Sequence, residues 1–167
     1  MHHDLSEEAM SYLTGSSLFG SLADDAMTRV LPYLTSIDIE TGKTLFREGD
    51  RGDYAAIVVH GALDVWKRVA EGRNTRIGQL SLGDVVGEMS VVDGRPRSAT
   101  IRAAVDSTLL VLRRENLERM QHCDPDIALP LWAEMARFLS LKLRRMSGDS
   151  PDIRSDRAQV LQKKEGP

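Results

Sequence analysis

The sequence predicts an α+β domain that is mainly β: an eight-stranded β-roll or jelly roll, with helices before it and a C-terminal helical pair after it. Three observations carry this expectation. Between Thr35 and Arg113, short apolar-rich runs recur at roughly regular spacing and are divided by glycines, the pattern of a rolled antiparallel sheet. On either side of that stretch the apolar residues recur at helical spacing instead. The chain has 167 residues, enough for one domain with a sizeable core and little else. We divide it into an N-terminal helical extension (1–15), the domain itself (16–147) and a polar tail (148–167).

Taken in order, Asp4–Thr14 reads as a short helix, with Ser6 as N-cap and Glu7 and Glu8 where the helix dipole favours acids. Ser16–Leu34 carries Leu18, Phe19, Leu22, Met27, Val30, Leu31 and Leu34, and its later part is helical, with Asp24 and Asp25 near the start. Pro32 should end or distort that helix. Strands are expected at Ser36–Glu40, Thr44–Arg47, Tyr54–Val59, Leu63–Val69, Arg76–Leu80, Ser98–Ala103 and Ser107–Leu112. Between them, Thr41-Gly42-Lys43, Glu48–Asp53 and Gly61 read as turns, and Glu71-Gly72-Arg73-Asn74 as a hairpin tip. Arg114–Cys123 returns to helical periodicity through Leu117, Met120 and Cys123. After Asp124, Pro125 suits a first helical turn, and a last helix runs to about Met146. Its apolar residues are too widely spread for a single buried stripe. Pro130 should kink it or mark its effective start.

The stretch with the most chemical content is Gly83–Ala103. It combines a Gly-Asp turn, Gly87 followed by the lone acid Glu88, a Gly94-Arg95-Pro96 turn, and then Arg97. Arg97 offers a planar fork of donors that fits a phosphate. Glu88 is acceptor-only when ionised and can receive hydrogen bonds from sugar hydroxyls. Gly87 allows a ligand close to the backbone, and Glu88–Val92 is long enough for one helical turn with free N–H groups. A surface ion pair between Glu88 and Arg97, with the glycines as ordinary turns, accounts for the same spacing. Spacing alone does not choose between the two.

The run Gly87-Glu88-Met89-Ser90-Val91-Val92-Asp93-Gly94-Arg95-Pro96-Arg97-Ser98-Ala99-Thr100 resembles the phosphate-binding cassette of the cyclic nucleotide-binding domain family. That family includes the catabolite activator protein and the regulatory subunits of the cAMP-dependent kinase. Phe46–Asp53, with Gly61 and Val65, is similar to the family's first half, where the glycines are turn residues. The resemblance spans roughly residues 16–146. It implies that Glu88 binds the ribose 2′-hydroxyl and that Arg97 binds the cyclic phosphate. Backbone amides of Gly87, Glu88, Ser98 and Ala99 would assist, and Met89 is counted in the site with them. The last helix is similar to the family's C-helix, which lids the ligand and, in the catabolite activator, builds the dimer. It implies a base contact from Leu143, with Lys142 or Arg144 stacking or bonding. The family's small hydroxyl residues on that helix are missing here. Ser98, after the cassette arginine, favours cAMP and is compatible with cGMP. The function implied is a cAMP-binding regulatory module that signals through its C-helix to an effector protein, with a homodimer through that helix. A ligand-free dimerisation or scaffold domain of the same fold is the competing reading.

Composition narrows the field further. Lys and Arg number 22 against 25 Asp and Glu, a formal charge of −3, and a nucleic-acid binder is usually basic. With some twenty polar residues after the last helix, no DNA-reading domain and no DNA partner are expected. No apolar run approaches the roughly 18 residues of a membrane span, and the start lacks a secretory leader, so no membrane association and a cytoplasmic location are expected. Cys123 is the single cysteine, which excludes an internal disulfide and a cysteine-ligated cluster. The four histidines, His2, His3, His60 and His122, show no metal-ligand spacing. No nucleophile–base pair is placed by motif, and Glu88 with Arg97 suits holding a phosphate ester rather than cleaving it. The sequence therefore reads as non-enzymatic and metal-free.

Overall fold

The computed structural model describes residues 12–16, 18–20, 22–69 and 72–146. Most of the expected helix Asp4–Thr14, including its cap Ser6, and the whole tail 148–167 lie outside the described residues. Residues 12–15 are helical. Helix α1, Asp24–Val30, follows, and then a 3₁₀ turn, Leu31–Tyr33, with Pro32 in its first positions. Pro32 thus ends the α-helix where the sequence places the break, because a proline ring tolerates a first turn but not an interior.

Eight strands come next: β1 Leu34–Ile39, β2 Thr44–Phe46, β3 Tyr54–His60, β4 Leu63–Arg68, β5 Asn74–Leu80, β6 Val85–Val86, β7 Thr100–Ala103 and β8 Ser107–Arg113. The short helix α2, Glu88–Asp93, interrupts them between β6 and β7. They form two four-stranded antiparallel sheets, in the orders β1-β8-β3-β6 and β2-β7-β4-β5. The first strand pairs with the last, the second with the seventh, the third with the sixth and the fourth with the fifth. The chain behaves as one long hairpin, tipped at β4–β5, that has rolled up on itself. Strand β6 is only two residues long and sits within what the sequence reads as loop.

The two sheets differ in their burial. β3 is buried along Ala55–Val59. Ala55, Ile57 and Val59 face a cluster shared with the helices, while Ala56 and Val58 face the space between the sheets. On β8 the same division holds, with Leu110 and Leu112 towards the helices and Leu109 and Val111 towards the other sheet. A sheet covered on both faces needs a continuous apolar run, and this is why β3 and β8 do not alternate. β5, an edge strand of the second sheet, is exposed along Asn74–Gln79 and carries mostly polar residues.

Helix α3, Arg114–Cys123, buries Leu117 and Met120. Cys123, which helical spacing groups with them, is exposed. Helix α4, Pro125–Met146, runs continuously through Pro130. It therefore starts at Pro125 and not at Pro130. The proline removes only the donor to the Asp126 carbonyl, and both residues are exposed, where water can replace the lost bond. The N-terminal unit is tied to the α3–α4 junction by side chains. The Arg29 guanidinium donates to the carboxylates of Asp124 and Asp126, and the Tyr33 hydroxyl donates to Asp124 at 2.6 Å. The Tyr33 and Arg29 bonds hold the Asp124 carboxyl below the usual aspartate range.

Gly61 shows how tightly one corner of the roll closes. It takes φ +85°, and a Cβ there would lie 2.3 Å from the Ser107 hydroxyl oxygen and 2.5 Å from the Asp106 carbonyl oxygen. We expect Gly61→Ala to lower the unfolding free energy by more than about 1 kcal/mol, measured by urea denaturation. Wild-type stability in that variant would show that the corner can relax.

Candidate functional site

The site is assembled around α2 and the loop that follows it. Gly87 precedes α2 in the left-handed conformation, at φ 79°, and Gly94 closes it at φ 71° with its N–H bonded to the Ser90 carbonyl. This six-residue helix packs with Ser90 and Val91 inside. Arg114 of α3 donates to the Ser90 carbonyl and ties the helix from outside the sheets.

Arg97 follows the turn, and its backbone is clamped. Its N–H donates to the Asp50 carbonyl at 2.8 Å, and its carbonyl accepts from Gly49 N–H at 2.9 Å. Asp50 is itself set by its carboxylate, which accepts from Arg47 N–H at 2.8 Å. The glycine pair Gly49 and Gly52, which sequence reasoning treats only as turns, thus has two separate duties. Gly49 makes the clamp. Gly52 lets the chain pass beneath the cassette, since a Cβ there would lie 2.3 Å from the Ser90 Cβ and 3.0 Å from the Arg97 Cδ.

The Arg97 side chain is 2% exposed. Its Nη1 donates to the carbonyls of Tyr54 at 2.8 Å and Gly87 at 3.1 Å. The guanidinium carbon stands 4.0 Å from the Phe46 ring centroid and 4.4 Å from that of Tyr54, two cation–π contacts in a desolvated place. Its Nε and Nη2 are buried with no partner. Burial pushes the guanidinium pKa down, but arginine stays charged. Gly87 is what lets the guanidinium reach this position, because a Cβ there would lie 2.4 Å from Nη1. Two buried donors of a cation are thus left without acceptors, an arrangement that is costly unless something anionic completes it.

Glu88 is 1% exposed. It does not pair with Arg97, so the surface ion pair that spacing alone allows is not formed. Its Oε1 accepts from the Lys142 ammonium of α4 at 2.6 Å. Gly87, Glu88, Met89, Arg97, Ser98 and Ala99 all line one cavity of about 450 Å³, counting the part open to solvent. Val65, Leu80, Val85, Val86 and Ile101 supply its apolar wall, and Phe46, Ser90 and Lys142 complete it. Ser98 is held from two sides: its hydroxyl contacts the Met89 sulfur at 3.7 Å, and its carbonyl accepts from Lys67. Lys67 also pairs with Glu48 at 3.0 Å. That carboxylate accepts from Arg68 N–H as well, and the two bonds hold its pKa below the usual value.

Of the residues expected to bind ligand, Leu143 is the exception. It is 65% exposed and is not part of the cavity lining, where its neighbour Lys142 stands instead. One residue along an α-helix is a rotation of 100°. Ile127, Leu131, Met135, Phe138 and Lys142 follow one another at steps of four, four, three and four. The first three are buried and Phe138 packs against the same cluster. That stripe delivers Lys142 to the cavity and turns Leu143 away. Extending it from Ile127 was the signal that could have assigned Lys142. Phe46, Tyr54 and Lys67 carried no such signal, because they meet the cassette only through strand pairing. Among the described residues no group of histidine, cysteine or carboxylate side chains could hold a metal ion. No described helix is long and apolar enough to cross a membrane.

Comparison with known proteins bears on the family and the fold. Residues 37–122 match the model of the cyclic nucleotide-binding domain. A cyclic AMP receptor protein of Thermus thermophilus is 32% identical over 127 residues, 76% of this chain and 59% of that protein. A CRP-like cAMP-activated global transcriptional regulator of Mycobacterium tuberculosis is 24% identical, over 84% of this chain and 61% of that one. The chain therefore spans about six-tenths of the length of these relatives. Among solved structures, a cyclic nucleotide-binding domain from Methylobacillus flagellatus superposes with a TM-score of 0.75 at 25% identity, covering 87% of this chain and 84% of that chain. The regulatory domain of Toxoplasma gondii PKA, crystallised with cAMP, superposes with a TM-score of 0.64 at 28% identity, over 71% of this chain and 45% of that one. The rolled sheets, the clamped cassette and these matches lead to one assignment: the chain belongs to the cyclic nucleotide-binding domain family.

Proposed function

We propose that this chain is a regulatory sensor module that binds a 3′,5′-cyclic nucleotide, cAMP in preference to cGMP, and reports occupancy through α4 to a partner. One observation carries the binding half of this reading. Arg97 is a buried cation whose Nε and Nη2 nitrogens have no partner, in the lining of the same cavity as a buried acceptor, Glu88. A cyclic phosphate supplies oxygens for the first, and a ribose hydroxyl supplies a donor for the second. The apolar wall of Val65, Leu80 and Ile101 gives a sugar and base something to exclude water against. Met89 and Ser98 stand at the cassette side of the cavity, and the kinases and activators whose names carry cAMP support the choice of base. The pair suits holding the ester, so the module has no reaction of its own.

The output half rests on α4. Its buried stripe faces the roll, and on the opposite side Leu129, Ala136 and Leu143 are exposed and recur at seven-residue intervals. Trp132, partly buried against the core cluster, and the half-buried Leu139 stand three residues after the first two, at the flank of that row. Leu129 and Leu143 are 70% and 65% exposed. That is the a/d spacing of a coiled-coil seam, and it fits a second copy of this helix. A homodimer through α4 would bring two ligand-dependent lids together, and the effector protein would read their angle.

Calorimetry with cAMP, cGMP and cyclic dinucleotides tests the reading as a whole, and no heat with any of them would remove it. Arg97→Leu should weaken cAMP binding at least thirtyfold, equivalent to about 2 kcal/mol, while circular dichroism stays native. Unchanged affinity in the folded variant would refute the site. Glu88→Gln should weaken cAMP more than 2′-deoxy-cAMP, because an amide oxygen is a poorer acceptor than a carboxylate. Equal losses would mean that Glu88 does not read the hydroxyl. For the dimer, light scattering should give twice the chain mass for wild type and the single mass for Leu129→Glu. A wild-type monomer would overturn the seam.

A further inference from the structure

We propose that Lys142 is a built-in competitor for the ribose hydroxyl, latching α4 to the cassette until nucleotide displaces it. The proposal rests on the nucleotide-binding reading of Glu88 and names how that site is regulated. The Glu88 carboxylate is 2% exposed at its side chain, and Lys142 reaches it from α4, with its ammonium 2.6 Å from Oε1. The two residues are 54 positions apart and belong to different elements, so the bond joins the last turns of α4 to the start of α2. Lys142 is itself partly exposed, at 39% of its side chain, and its ammonium stands 4.8 Å from the centroid of the Phe138 ring one turn earlier. It can leave at modest cost, whereas Glu88 cannot.

Chemistry makes the two occupants alternatives. A buried carboxylate needs a donor. In this structure the ammonium is that donor, and in the complex a 2′-hydroxyl would be. Lys142 also lines the cavity, and its ammonium holds the place beside Glu88 Oε1 that a 2′-hydroxyl would take. A ligand that must first break an ion pair binds with its intrinsic affinity reduced by the fraction of molecules already open. A nucleotide lacking the 2′-hydroxyl makes no claim on Glu88. It can leave the pair in place, so Lys142 narrows the discrimination between ribose and deoxyribose. The same displacement frees the end of α4, which gives the ligand a differential contact with two helix positions.

The test uses the full chain, wild type against Lys142→Met, with Lys142→Gln as a second variant that keeps a polar tip. Calorimetry with cAMP and 2′-deoxy-cAMP gives the binding arm. We expect Lys142→Met to bind cAMP at least fivefold tighter, with 2′-deoxy-cAMP changed by less than twofold. Equal or weaker cAMP binding in both variants would overturn the competitor role and show Lys142 as a ligand contact or a bystander. Amide hydrogen exchange without ligand gives the second arm. Residues 139–146 should exchange at least threefold faster in both variants, while residues 55–59 of β3 stay unchanged. Unaltered exchange at the end of α4 would overturn the latch. Should neither wild type nor variant bind any cyclic nucleotide, the nucleotide reading and the competitor role fall together, and the exchange arm alone then decides whether Lys142 latches the helix.

Discussion

The structure turns on one buried cation. Placing a guanidinium at 2% exposure is expensive unless its charge and its donors are met. Here the chain meets them in part. Two carbonyls take Nη1, and two aromatic rings cover the faces. Other features follow from making room for that group. At Gly87 the guanidinium occupies the space a Cβ would need, and at Gly52 the Ser90 side chain does, with the arginine's aliphatic stem beside it. The Gly49–Asp50 turn is bonded to the arginine's own backbone on both sides. The remaining Nε and Nη2 are the part of the cost left open, and the acceptor oxygens of an anion would meet it.

The rest of the roll can be read as support for that arrangement. The chain's long-hairpin topology brings β3, with Tyr54 at its start, beside β6, and puts Phe46 of β2 next to Ile101 of β7. Arg97 is therefore held by residues 43 and 51 positions before it in the chain, each placed by strand pairing. Elements held this way from several directions resist small displacements, because close-packed interiors deform poorly. The helix α4 is different. Its first half is anchored by Ile127, Leu131 and Met135 in the core, while its last turns reach the cassette through the Lys142–Glu88 ion pair. A rigid cassette beside a helix end joined to it by an ion pair is the division of stiffness that a ligand-driven change requires. The N-terminal unit, bonded by Arg29 and Tyr33 to the α3–α4 junction, holds the fixed end of that lever.

Much of this was legible in the sequence, for reasons that are local. Glycine-bounded apolar runs mark strands because a strand covered on both faces needs a continuous apolar run and the turns that bound it need left-handed φ. Thus β3, β4 and β8 fall where the pattern places them, and β6 was hidden because two residues carry no pattern. Pro32 ends a helix through its own ring. Gly87, Glu88, Met89, Arg97, Ser98 and Ala99 lie within thirteen residues, so one loop brings them to one cavity and their spacing is informative. Tertiary structure alone decided what lies between distant elements. It paired Glu88 with Lys142 rather than with Arg97, because α4 brings that lysine into the cavity lining. It put Phe46 and Tyr54 on the guanidinium through strand pairing. It turned Leu143 outward and Lys142 inward, since the phase of a helix is set by which of its stripes the core accepts, here Ile127, Leu131 and Met135. Residue chemistry and short-range spacing belong to the sequence. The partner that each buried charge finds is settled only when the roll closes, because burial makes an unpaired group costly and the fold determines which groups are within reach.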